Sequence, residues 1–222
     1  MFLVPVLACI VACGVLWGLH GDLWWADRLY AWQGGAWAWQ NHWLSAGVVH
    51  KGGKWLSQLA AAVVLLLAVQ AGRDPRWQAW RRPLWVLLGS VLASVAVVGL
   101  LKNFTQVDCP WDLYRYGGGR DYLTMWLPHP AGVPVNHCFP AGHASSGYAW
   151  VALYFFFAAV RPEYRRLGLV MGLGIGMLFG FTQQLRGAHF ISHDVVTLTL
   201  CWLIALGLDR GFNRMPADEA LA

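Results

Sequence analysis

Six apolar runs alternate with polar stretches along this chain. The first, Phe2 to about Leu19, starts with no charge ahead of it. A cleavable leader ordinarily has a charged n-region and a small-residue cleavage site, so this run reads as a retained membrane helix. The others run from about Trp55 to Ala71, Pro83 to Leu101, Ala144 to Val160, Leu167 to Leu185 and His193 to Leu208. Several lie near the minimum of about 17 residues that crosses a bilayer. The pattern predicts one all-α membrane domain over 1–222, an integral bundle of six transmembrane helices with no internal repeat.

The connections differ in character. Residues 20–53 space Trp24, Trp25, Trp37, Trp39 and Trp43 among polar residues, which predicts partly helical structure lying along the membrane surface. Residues 72–82 form a short basic turn. Residues 103–139 carry Pro110, Gly117, Gly118, Gly119, Pro128, Pro130 and Pro134 and predict a long loop, a length usually tied to function. The tail 209–222 is polar.

Lys and Arg placement orients the bundle. Arg73, Arg76, Arg81, Arg82, Arg161, Arg165, Arg166, Arg210 and Arg214 sit in short turns and the tail, on one side. Arg28, Lys51, Lys54, Lys102, Arg115, Arg120 and Arg186 spread over the longer connections on the other. The termini and tail are thus expected in the cytoplasm, with 20–53, 102–142 and 186–192 facing outward. Lys102, His143, Arg186 and His189 then share the extracytoplasmic side.

Composition narrows the class. The chain is 58% hydrophobic and 12% charged, which excludes an ordinary soluble domain, and its fifteen tryptophans suit an interfacial aromatic belt. The net charge of +5 is scattered among apolar runs, without the basic-aromatic stripe of a nucleic-acid binder.

The chemistry gathers around Pro140, Ala141, Gly142 and His143. Proline sets a turn, and two nearly bare residues let backbone N–H groups approach an anion ahead of a helix. His143 sits at the mouth of that helix, where an imidazole can donate a proton. Lys102 precedes this turn, and Arg186, His189, His193 and Asp194 follow it, each at the edge of an apolar run. Two cations, several imidazoles and a carboxylate at one membrane face suit a phosphate ester. The cations neutralise phosphoryl oxygens, one histidine attacks phosphorus and another protonates the leaving oxygen. No cofactor is needed. His189 and His193 are four apart and could bridge zinc, but no third ligand accompanies them, so no metal is expected. His20, His42, His50, His129 and His137 read as interfacial or loop residues. Cys9, Cys13 and Cys201 read as buried thiols.

These residues resemble the type 2 phosphatidic acid phosphatase family, whose motifs are Lys-x6-Arg-Pro, Pro-Ser-Gly-His and Ser-Arg-x5-His-x3-Asp. The matches are Lys102 through Cys109 and Pro110, then Pro140 to His143, then Thr182 to Phe190, within a core of about 83–208. The resemblance implies a membrane lipid phosphatase that works through a phosphohistidine. The chain departs from the motifs at Cys109 and Gln183, both arginine positions, and at Ala141, a serine position. Arg115 or Arg120 are candidates to replace the first arginine, and Arg186, about one turn after Gln183, the second. With Gly142, these complete the phosphate-binding set. In one register His189 is the nucleophile and His193 falls at the aspartate position. In the other His193 is the nucleophile, with Asp194 adjacent. The first is preferred, with His193 or Asp194 orienting His189.

Cys109 and Cys138 share the outward loop, each beside a motif, and an extracytoplasmic compartment permits a disulfide between them. The run Asp108 to Asp112, with Arg186 to His193, is similar to a bacterial subgroup near lipid A and undecaprenyl-pyrophosphate enzymes. That implies a bacterial inner membrane, a periplasmic site and a lipid phosphate or pyrophosphate substrate. A phosphohistidine can pass its phosphate to water or to a second lipid, and a non-catalytic protein with a decayed site is the alternative of another class. Oligomeric state is not legible.

Overall fold

Lipid offers no partner for a backbone N–H or C=O, so an apolar run must satisfy its own as a helix. The computed structural model describes residues 2–123 and 136–213 and does so with eight α-helices. They are α1 Leu3–Gly18, α2 Gly21–Trp32, α3 Gly53–Arg73, α4 Gln78–Phe104, α5 Gly142–Tyr148, α6 Leu153–Val160, α7 Arg165–Leu185 and α8 Ile191–Leu208. Among the described residues there is no strand, only an isolated bridge between Leu113 and Arg120.

Among the described residues four helical stretches are long and apolar enough to cross a membrane: Trp43–Arg73, Pro75–Phe104, Pro162–Leu185 and Ile191–Phe212. A fifth forms if α1 and α2 count together, bent by 65°. His20 makes that bend with a left-handed backbone at φ 55°. The expected fourth run is helical over 142–160, but a 3-10 turn, Ala149–Ala152, divides α5 from α6. Exposed Leu56, Leu59, Val63, Leu66, Leu92, Val170 and Leu178 face outward from the bundle. A soluble protein would not leave so many large apolar groups uncovered.

The segment 20–53 departs from expectation. Its first part is α2, and its last part is a π-helix, Trp43–Gly52, running directly into α3. The second span is therefore a 31-residue helix, Trp43–Arg73, and not Trp55 to Ala71. The proline-rich loop also folds further than its composition suggests. Short 3-10 turns at Pro110–Asp112 and Tyr114–Tyr116 bury Leu113 and Tyr116 against Ala26 of α2 and Phe190. The loop positions Pro128, His129, Pro130 and Pro134, and the tail from Arg214 onward, lie outside the described residues. Asp209–Asn213 continues α8 as a π-turn.

The divided helix α5–α6 is the centre. Ala144, Ala149 and Val151 are fully buried there. It lies against a stripe of small residues on α7, Gly168, Gly172, Gly176 and Gly180, one every fourth position and all buried. A Cβ on Gly168 would stand 2.7 Å from the Leu153 carbonyl oxygen, and one on Gly172 would stand 2.5 Å from the Trp150 carbonyl carbon. Backbones that close need glycine, as in helix pairs packed within membranes. From the other side, Trp150 Nε1 donates to Ser57 Oγ at 2.9 Å, and Ser57 Oγ donates to the Ser146 carbonyl at 2.8 Å. These bonds fix the register of α3 on α5, and so the height of everything on that face of α3.

Candidate active site

The site lies where α5 begins, between the C-terminal ends of α4 and α7 and the N-terminal end of α8. The turn into α5 is held from α8: the Ala141 N–H donates to Thr197 Oγ1 at 2.9 Å, and Thr197 Oγ1 donates to the His193 carbonyl at 2.7 Å. That N–H is therefore engaged, not presented to an anion as the sequence suggests. Lys102, in the last turn of α4, lies over Gly142. A Cβ on that glycine would stand 3.1 Å from Lys102 Cδ and 3.4 Å from Nζ. Glycine here is what lets the ammonium reach the start of α5.

His143 stacks on Phe179 of α7, ring centroids 4.8 Å apart at 24°, and meets the His50 ring at 4.4 Å. Its Nε2 is buried without a hydrogen-bond partner. Lys102, Gly142 and His143 line one cavity of about 470 Å³ with His50, Lys54 and Ser146. Ala61, Val91, Leu92 and Val95 make the rest of its lining largely apolar. No carboxylate lines it, and none of the ion pairs among the described residues involves Lys102. A cationic, imidazole-lined pocket with an apolar wall suits an anion attached to hydrocarbon.

The connection from α7 to α8 is built to hold His189. Helix α7 ends in a Schellman turn: Gly187 N–H donates to the Gln184 carbonyl and Ala188 N–H to the Gln183 carbonyl, both at 2.9 Å. Gly187 is left-handed at φ 72°, and a Cβ there would stand 2.5 Å from the Trp37 ring. Helix α8 starts under the Asp22 carboxylate of α2, which accepts from Ser192 N–H at 2.9 Å and Ser192 Oγ at 2.5 Å. A carboxylate there also answers the positive end of α8.

Between these two anchors, His189 Nδ1 and His193 Nδ1 face each other at 3.2 Å, so one ring donates and the other accepts. The Cys138 backbone faces both rings, and Lys102 lies within electrostatic reach of both. Burial, with His193 and Lys102 nearby, holds the His189 imidazole well below its ordinary pKa of 6.5. That favours the neutral imidazole, the form in which a histidine can attack an electrophile. His189 is not one of the residues lining the cavity, but it lies within electrostatic reach of His143.

The remaining expected residues are placed otherwise. Asp194 does not orient His189. It is buried beside α7, where Gln184 Nε2 donates to its Oδ2 and a Cβ on Gly180 would stand 2.6 Å from its Oδ1. Gln184 in turn accepts from Trp25 Nε1 at 2.7 Å. Arg115 forks onto Asp27, both N···O distances 2.6 Å, and Arg120 pairs with Asp108. Each guanidinium thus already holds a carboxylate, and neither lines the cavity beside Lys102. Arg186 donates Nε to the Gln40 carbonyl at 2.8 Å and Nη1 to Gln183 Oε1 at 3.0 Å. That bond orients the Gln183 amide and leaves its buried Nε2 without a partner.

Cys109 and Cys138 are joined, with Cα atoms 5.4 Å apart. Beside them, Asp112 Oδ2 accepts from Cys109 N–H at 3.2 Å and Asn136 Nδ2 at 2.7 Å. Of the histidines read as peripheral, His42 caps the π-helix by accepting from Leu44 N–H, and His137 bonds the Thr105 carbonyl. His50 was misplaced by sequence reasoning, since it touches His143. The available signal was a polar stripe, His50, Lys54, Ser57 and Gln58, on one face of an otherwise apolar helix. Asp22, Gln40 and Gln184 had no such signal.

Residues 83–214 match the PAP2 superfamily. The fold is similar to the crystal structure of a transmembrane PAP2-type phosphatidylglycerolphosphate phosphatase from Bacillus subtilis, at a TM-score of 0.58 and 14% identity. The likeness covers 97% of this chain and 98% of that one. No curated protein matches the sequence.

Proposed function

The chain belongs to the PAP2 superfamily, and from that premise we propose a membrane lipid phosphatase acting on a lipid phosphate monoester or diphosphate. One observation carries the reading. Lys102 of α4 and Gly142 and His143 of α5 line one acid-free cavity with a partly apolar lining. Electrostatic stabilisation by preplaced donors is the main thing a phosphoryl transfer requires of its protein.

In the proposed mechanism the terminal phosphoryl group rests on Lys102, with Arg186 and the free Gln183 Nε2 as further donors. His189 Nε2 attacks phosphorus, while its Nδ1 is held by His193. The P–O bond to the leaving group breaks with its electron pair on oxygen, and His143 supplies the proton. His143 then takes a proton from water, which cleaves the P–N bond and releases inorganic phosphate. Six crossings with this site on the outer face of a bacterial inner membrane complete the proposal. The helix 142–160 serves as the fourth of these crossings, and the arginine-rich turns lie at the far end.

The test uses purified protein with phosphatidic acid, phosphatidylglycerol phosphate, undecaprenyl pyrophosphate and lipid A. Phosphate release that is lost in His143→Ala and His189→Ala supports the reading. An acid-labile, base-stable label on the protein should vanish in His189→Ala. Label appearing on lipid A in place of free phosphate would make the enzyme a phosphotransferase. No turnover with any lipid would favour a decayed site.

A further inference from the structure

The family match begins at residue 83, yet the cavity has a second wall from outside it. His50, Lys54, Ser57, Gln58 and Ala61 lie on one face of the Trp43–Arg73 helix and line the same space as Lys102 and His143. The Ser57 bonds to Ser146 and Trp150 lock this wall in register. Lys54, three residues earlier, is thereby held about 4.5 Å further along the axis, towards His50. Among the described residues no carboxylate pairs with Lys54.

The two lysines act on different histidines. Lys102 lies within electrostatic reach of His189 and His193. Lys54 lies within reach of His143 and His50, as does Arg186. The cavity thus has a pole beside the nucleophile and a second pole beside the general acid. When the leaving group is an alcohol, the only charge to answer there is the one on the departing oxygen, which the His143 proton cancels. The ester-linked phosphate of a diphosphate carries its own negative charge in the bound substrate as well as in the product, and a cation there binds it.

We propose that Lys54, with His50 beside it, binds the ester-linked phosphate of a lipid diphosphate and makes the site selective for diphosphates over monophosphates. The inference rests on the phosphatase reading above. His189 forms its N–P bond to the terminal phosphorus. The bond from that phosphorus to the bridging oxygen breaks, and its electron pair leaves on the lipid monophosphate held by Lys54. His143 protonates that product. Water then cleaves the phosphohistidine, returns a proton to His143 and yields inorganic phosphate.

The experiment compares farnesyl diphosphate with farnesyl monophosphate on the full-length, detergent-purified protein. Wild type should prefer the diphosphate. In Lys54→Gln the ratio of kcat/KM values, diphosphate over monophosphate, should fall about tenfold or more, mainly through KM, as expected for losing a charged hydrogen bond. His50→Gln should shift the ratio in the same direction, and Lys54→Arg should restore most of it. An unchanged ratio in Lys54→Gln overturns the inference, as does wild-type turnover of the monophosphate alone. Both outcomes leave the phosphatase reading standing. Wild type inactive on both compounds, and on the lipids named above, overturns both readings.

Discussion

Replacing Gly176 by alanine inserts one methyl group between α7 and the Tyr148 ring. The new Cβ would stand 2.5 Å from both Cγ and Cε1 of Tyr148 and closer still to Cδ1, whereas ordinary contact begins near 3.4 Å. More than about 1 Å of separation must therefore be found, and overpacking of this kind costs about 1–3 kcal/mol. Tyr148 is 5% exposed, so its ring has no solvent to swing into. The backbones are also close here, since a Cβ on Gly147 would stand 2.8 Å from Gly176 Cα. The start of α5 must then move, and His143 lies about 7.5 Å along that same helix from Tyr148. A misplacement of about 1 Å in a catalytic group costs on the order of 100-fold in rate. Gly174→Ala is the matched control, because its Cβ meets nothing within 4 Å. Alanine there should be neutral or slightly stabilising, by up to about 1 kcal/mol from helix propensity. The assay pairs initial rates of phosphate release with thermal melting in detergent. Tyr148→Leu in the Gly176→Ala background should recover part of the loss, giving a positive coupling in a double-mutant cycle. If Gly176→Ala and Gly174→Ala turn over at the same rate, the glycine stripe does not position His143 and the reasoning fails.

Three further predictions follow from the site. His189 has its pKa held below 6.5, so acidification protonates the unfolded chain first. Stability should fall as the pH drops below about 6.5, and His189→Gln should flatten that slope in melting curves taken down to about pH 5. Asp194 faces Gln184 and His193 faces His189. Asp194→Asn should thus lower the melting temperature with kcat kept within about tenfold, while His193→Ala should lower kcat about 10- to 100-fold; the opposite ranking would exchange their roles. Cys109 and Cys138 close a loop with a sequence separation of 29, worth about 3.6 kcal/mol in the chain-entropy picture. Cys138→Ser should lower the melting temperature markedly, and non-reducing mass spectrometry should find the pair bonded in wild type; two free thiols would refute it.

The helices and the motif residues at their ends were legible because both are local properties. A run of apolar residues in lipid has one way to satisfy its backbone, whatever its neighbours do. Lys102, His143 and His189 could be picked out because each stands where such a run begins or ends. The family resemblance rested on the spacing of those same few residues. Partnership is a different matter. Arg115 looked available for phosphate, yet Asp27, 88 positions away, holds it. Asp194 looked like the orienting carboxylate, yet the glycine stripe on α7 brings that helix close enough for Gln184 to bond it. His50 read as interfacial and Lys54 only as one of the outward-side cations, because only the continuation of the π-helix Trp43–Gly52 into α3 sets both on the face that lines the cavity with His143. Sequence by itself determined which segments are helices and which residues carry chemistry. Tertiary structure decided which charges are engaged, which stay unpaired and which side chains share a cavity, because these depend on how closely the helices approach one another, which no local pattern encodes.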